Sequence, residues 1–88
     1  MPKMVLTHAV VDIERWLKGK EERVVAFSPF ATNVTDHVAA DGSNNVAITA
    51  DIEDVAAAQA MMAAPPPEAA ALAESHGVVP PMTVYIEK

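Results

Sequence analysis

The chain contains no cysteine. A disulfide framework and a thiolate metal site are therefore excluded. Basic residues are scarce: six Lys and Arg stand against twelve Asp and Glu, giving a net charge of −6 and a sequence pI near 4.8. The six are scattered and form no phosphate-binding stripe, so neither nucleic acid nor an anionic membrane surface is an expected partner. Aromatic residues are limited to Trp16, Phe27, Phe30 and Tyr85. No apolar run approaches the length of a membrane span, and Met1 to His8 lack the apolar core of a signal peptide. A cytoplasmic protein is expected. There is also no GxSxG, P-loop, GxGxxG, HxH or HExxH pattern, so no recognisable nucleophile elbow, nucleotide cradle or zinc motif exists. Met61, Met62 and Met82 read as core filler, not as copper ligands.

What is present fits one domain, residues 1–88, since two cores would not fit in 88 residues. The hydrophobic fraction of 51% is inflated by alanine, so the core is thin and oligomerisation is a natural way to add buried surface. Met4 to Val10 is short, apolar and partly β-branched, as a buried strand is. Asp12 is placed to cap a helix over about residues 12–23, with Ile13, Trp16 and Leu17 as its inward face. A buried acceptor, most simply a backbone carbonyl, is expected for the Trp16 indole N–H. Val24 to Phe30, broken by Pro29, reads as a connection into the next strand. Alternation over residues 31–40 predicts that strand, Asp41 to Asn45 a turn, and residues 45–51 its hairpin partner. Asp51, or else Asp54, starts a helix over about 52–63, with Met62 on its inward stripe. Pro65-Pro66-Pro67 ends that helix. A short helix over 67–76 follows, with Gly77 in the left-handed conformation after it. Residues 82–87 alternate as a last strand.

The order strand, helix, strand, strand, interrupted helix, strand is the α+β ferredoxin-like βαββαβ arrangement. It predicts a four-stranded antiparallel sheet with its helices on one face. The bare face calls for a second copy of the chain, hence a homodimer.

Three segments carry a family resemblance. Leu6-Thr7-His8-Ala9-Val10-Val11-Asp12-Ile13-Glu14-Arg15-Trp16 resembles the start of small proteins of the dimeric α/β-barrel superfamily. Asp51-Ile52-Glu53-Asp54-Val55-Ala56 resembles their entry into the second helix, and Gly77-Val78-Val79-Pro80-Pro81-Met82-Thr83-Val84-Tyr85-Ile86 resembles their close. The resemblance implies a dimeric α/β barrel made of two sheets packed face to face. It also implies a small enzyme, monooxygenase-like or cyclase- or isomerase-like, acting on a hydrophobic small molecule; the alternative is a non-catalytic ligand-binding or accessory barrel. Fold alone does not choose between them. The chain departs from these relatives at Val79, where they often have glycine, in its unusually apolar 24–31 stretch, and in retaining only Arg23 of the arginines that often follow the first helix.

Two groups of candidate site residues follow. His8, His37 and Tyr85 are the candidate catalytic groups. His8 and His37 titrate near neutral pH and suit general acid–base work. His37 and Tyr85 share the polar phase of their strands with Thr7, Thr35 and Thr49, which suits either a cavity or a dimer interface. Relatives with a pocket between sheet and helices imply a lining of His8, Trp16, Asp36 and His76, with Trp16, Asp36 and His76 as ligand-binding residues. An Asp36 carboxylate near His8 would orient its ring. No cofactor motif is present; the resemblance leaves haem as an option, with His76 as its ligand. The plainer role for His76 is a favourable charge at a helix C-terminus.

Overall fold

A computed structural model describes residues 2–64 and 67–88, with the side chain of Met62 outside the description. Its strands are β1 (Lys3–Val10), β2 (Ala31–Val38), β3 (Asn45–Ile52) and β4 (Val78–Ile86). Its helices are α1 (Ile13–Lys18), α2 (Lys20–Phe27), α3 (Val55–Ala63) and α4 (Pro67–Ser75). The sheet is four-stranded in the order β2-β3-β1-β4, with every neighbouring pair antiparallel. This is the ferredoxin-like topology expected from the order of elements. No helix among the described residues is long and apolar enough to cross a membrane.

Period-2 alternation sets the two sheet faces. Met4, Leu6, His8 and Val10 of β1 are buried, as are Val46, Ile48, Ala50 and Ile52 of β3. Trp16, Phe27, Phe30 and Ala58 meet them from the helical layer. Val5, Thr7, Ala9, Ala47 and Thr49 on the opposite phase are only partly covered, and Thr35, His37, Thr83 and Tyr85 beside them are exposed.

The first helix departs from expectation in an informative way. Asp12 caps it, accepting from the backbone N–H groups of Glu14 and Arg15. The helix then breaks at Gly19 and restarts, running on to Phe27 instead of ending near residue 23. A Cβ on Gly19 would lie 2.3 Å from the His76 ring, so only glycine lets that ring seat against the backbone. The stretch read as a connection is thus largely α2. Its Phe27 is buried, and after the turn through Pro29 so is Phe30. Leu17, expected inward, is exposed, because the inward direction is taken by Trp16 and Arg23.

Asp54, not Asp51, caps α3, accepting from the N–H of Ala57. Asp51 belongs to β3, where its carboxylate is paired with Lys3 at 3.1 Å and accepts from Asn33 at 2.8 Å. Pro67 opens α4; Pro65 and Pro66, expected to end the preceding helix, lie outside the described residues, as does the Met62 side chain. Gly77 ends α4 at φ 74°, the left-handed value anticipated there. Arg15 finishes that end, donating from Nε to the Ser75 carbonyl and from Nη2 to that of Glu74. The last strand begins at Val78, four residues earlier than its alternation suggests. Its register against β1 shifts between Thr7 and Ala9, opposite Pro80 and Pro81.

Candidate functional site

A cavity of about 520 Å³ lies between the helical layer and the sheet. Its walls are mainly apolar: Leu6 and Ile48 from the sheet, Phe27 from α2, Met61 from α3, and Leu72 and Ala73 from α4. The polar side chains that reach it include His8, Arg15, Arg23, Glu74 and His76. That volume and that mix suit a drug-sized apolar molecule held by a few polar groups.

His8 is the cavity's candidate base. β1 points it toward the helices, where it is buried. Its Nδ1 lies 2.9 Å from the Ala9 carbonyl oxygen. A carbonyl only accepts, so Nδ1 carries the hydrogen and Nε2 is left with its lone pair. No described residue occupies Nε2. Burial pushes the His8 pKa below the ordinary 6.5, against the raising effect of the Ala9 bond and with help from the positive charge of Arg23. His8 is therefore a neutral imidazole at pH 7, in the protonation state a base needs.

Behind His8 lies a buried polar stack. The His8 and Trp16 rings meet nearly perpendicularly, centroids 5.9 Å apart. The Arg23 guanidinium carbon lies over the Trp16 ring, 4.3 Å from its centroid. Arg23 is itself clamped: Nη2 donates to Asp36 Oδ2 at 2.6 Å, and Nη1 donates to His76 Nδ1 at 3.1 Å. With Nδ1 accepting, neutral His76 holds its hydrogen on Nε2, which lies 3.3 Å from Glu22 Oε1. Three buried atoms of the stack have no hydrogen-bond partner among the described residues: Trp16 Nε1, Arg23 Nε and Asp36 Oδ1. The acceptor expected for the Trp16 indole is thus not found among the described residues; the ring's polar contact is the guanidinium over its face.

The expected site residues fall into two places. His8, Trp16, Asp36 and His76 come together on the helix side. Asp36 does not touch His8; it holds Arg23, which stands between them. His37 and Tyr85 lie on the opposite face, where His37 Nε2 is 2.9 Å from Thr49 Oγ1. There His37 lines an open groove of about 490 Å³ with Thr7, Ala47, Val79 and Thr83, and Tyr85 stands 57% exposed. Neither of them lines the helix-side cavity, although His8 and Pro80 border both it and the groove. His76 does not suit haem, because its one lone pair is committed to Arg23 and its other nitrogen faces Glu22. Among the described residues no cluster of three or more His, Asp or Glu side chains is arranged to hold a metal ion.

The residue that sequence reading undervalued is Arg23, noted there only as the one arginine retained after the first helix. A signal existed: Arg23 follows Trp16 by seven residues, two helical turns, and so shares its face.

No protein-family model and no curated protein matches this chain in sequence. Solved structures match its fold. One from Bordetella bronchiseptica, assigned as an antibiotic biosynthesis monooxygenase, aligns with TM-score 0.74 at 12% identity over 99% of this chain and 94% of that one. A second antibiotic biosynthesis monooxygenase aligns with TM-score 0.68 at 15% identity, over 100% and 97% of the two chains. A monooxygenase of Streptomyces coelicolor, solved with nanaomycin D, aligns with TM-score 0.61 at 22% identity, over 99% and 85%. At these identities the likeness establishes the ferredoxin-like fold that the three share with this chain.

Proposed function

We propose that this chain is a small monooxygenase-like enzyme that binds an apolar small molecule between helices and sheet and uses His8 as its base. The observation that carries the reading is the unpaired Nε2 of a buried, neutral His8 at an apolar cavity of about 520 Å³. The monooxygenase neighbours, one holding nanaomycin D, support the reaction class. In this reading His8 Nε2 takes a proton from an acidified C–H or O–H of the substrate. The electron-rich anion left behind is what dioxygen oxidises. For a methylene, one oxygen atom becomes the carbonyl and the other leaves as water with the two hydrogens. A second copy of the chain, covering the open face with its Thr35, His37 and Tyr85, completes the barrel that the resemblance implies.

The test pairs ligand binding by thermal shift with dioxygen uptake, using polycyclic aromatic hydroquinones and benzylic ketones. His8→Asn keeps a donor near the Nδ1 position and removes Nε2. It should retain binding and lose uptake. Binding without uptake by the natural chain would instead favour a non-catalytic ligand-binding barrel. Absence of both would overturn the proposal.

A further inference from the structure

We propose that Arg23 is a positioning residue for His8, acting through Trp16. The argument deepens the reading of His8 as the base and rests on it. Three contacts form one line: Asp36 and His76 grip the two ends of the guanidinium, the guanidinium lies on the indole, and the indole meets the His8 ring.

The components are fixed in a way that packing alone does not require. A buried arginine with both Nη atoms committed cannot rotate its plane, so it presents a flat, immobile plate. Trp16 is fully buried and makes no hydrogen bond through Nε1, so its seat depends on that plate and on apolar neighbours. His8 has one hydrogen bond, to the carbonyl of the next residue. That bond selects the tautomer only while the ring stays within reach of the carbonyl, and a single bond leaves the ring free to swing out of it. The perpendicular indole is what stops the swing and keeps Nε2 on the cavity.

The arrangement also costs stability. Arg23 Nε and Asp36 Oδ1 are buried without partners, which an apolar pair in the same space would avoid. A cluster retained for packing would not leave them so. A cluster retained to hold a planar cation against an indole would, since lysine has no plane and leucine no charge. The charged side chains of the cavity and the stack come from several elements: Arg15 from α1, Glu22 and Arg23 from α2, Asp36 from β2 and Glu74 from α4.

The experiment reads the His8 ring by nitrogen-15 chemical shifts in the full-length chain. The natural protein should show one tautomer, with hydrogen on Nδ1 and a bare Nε2. Arg23→Lys keeps the charge and loses the plate. The paired replacement Arg23→Met with Asp36→Leu removes the buried charges together and protects the fold. In both variants, once circular dichroism confirms folding, the single-tautomer signature should be lost to a mixture. The rate of His8 carbethoxylation by diethyl pyrocarbonate, with exposed His37 as the internal reference, should change with it. Should both folded variants keep one Nδ1–H tautomer and an unchanged His8 rate, the proposal is overturned. Failure of the functional reading looks different: aromatic probes such as 1-anilinonaphthalene would leave the His8 resonances of the natural protein unmoved, while the tautomer comparison would still decide the role of Arg23.

Discussion

Replacing Asp36 with leucine should destabilise the chain severely, and adding Arg23→Met to it should repair the damage. The side chains of Arg23 and Asp36 are 6% and 5% exposed, so neither charge is shared with solvent. Removing one partner of such a pair costs about 3–5 kcal/mol, because the remaining charge is stranded in a low-dielectric site. Domains of this size have only about that much stability to lose. Near the thermal midpoint the loss corresponds to a drop of roughly 12 °C or more. The double replacement behaves differently. It removes both charges along with the two unpartnered atoms Arg23 Nε and Asp36 Oδ1, so it should be neutral or more stable than the natural chain by about 1–4 kcal/mol. The assay is urea unfolding of the natural chain, both single variants and the double, at one fixed protomer concentration because a dimer unfolds concentration-dependently. The coupling energy from that cycle decides the matter. A single Asp36→Leu variant losing less than about 1 kcal/mol, as an exposed pair would, would refute the burial argument. So would a double variant as unstable as the single.

Other perturbations probe separate parts of the structure. Gly19→Ala should evict the His76 ring, which a Cβ would meet at 2.3 Å, and cost about 1–3 kcal/mol by denaturant unfolding. Arg15→Ala should free the Glu74 and Ser75 carbonyls and cost about 1 kcal/mol, with hydrogen exchange accelerating first in α4. Because the folded pKa of His8 is lowered below 6.5, the unfolded chain binds more protons in the window beneath that value. The His8 contribution is therefore fully present above pH 6.5 and is lost as the pH falls through that window toward the folded pKa; His8→Asn should flatten the corresponding slope in unfolding free energy. Light scattering should report a dimer, and Tyr85→Glu on the open face should shift it toward monomer while leaving the circular dichroism unchanged.

Local chemistry determined much of this fold, because its signals act over a few residues. The alternation in Met4 to Val10 assigns His8 to the buried face whatever lies opposite. Asp12 caps α1 through its own carboxylate, and Gly77 supplies the left-handed residue that ends α4. The turn through Asp41 and Gly42 sets the β2–β3 hairpin. Together these specify the order of elements along the chain and the strand face that the helices cover.

What tertiary structure decided involves groups whose partners are distant in the chain. Asp51 and Asp54 are equally good caps by type; Asp51 is removed from the choice because strand pairing sets it opposite Lys3 and within reach of Asn33. The 24–27 stretch continues as helix because Phe27 has a core to enter. The site itself depends most on such partners. Arg23 meets Asp36 across 13 residues and His76 across 53, and no spacing rule links an α2 arginine to a β2 carboxylate and a histidine after α4. His37 and Tyr85 could be assigned to the polar phase from sequence, but only the packing of helices onto the other face separates them from the cavity that His8 enters. Periodicity reports which way a side chain points; which groups meet there is settled only when the helices close over the sheet.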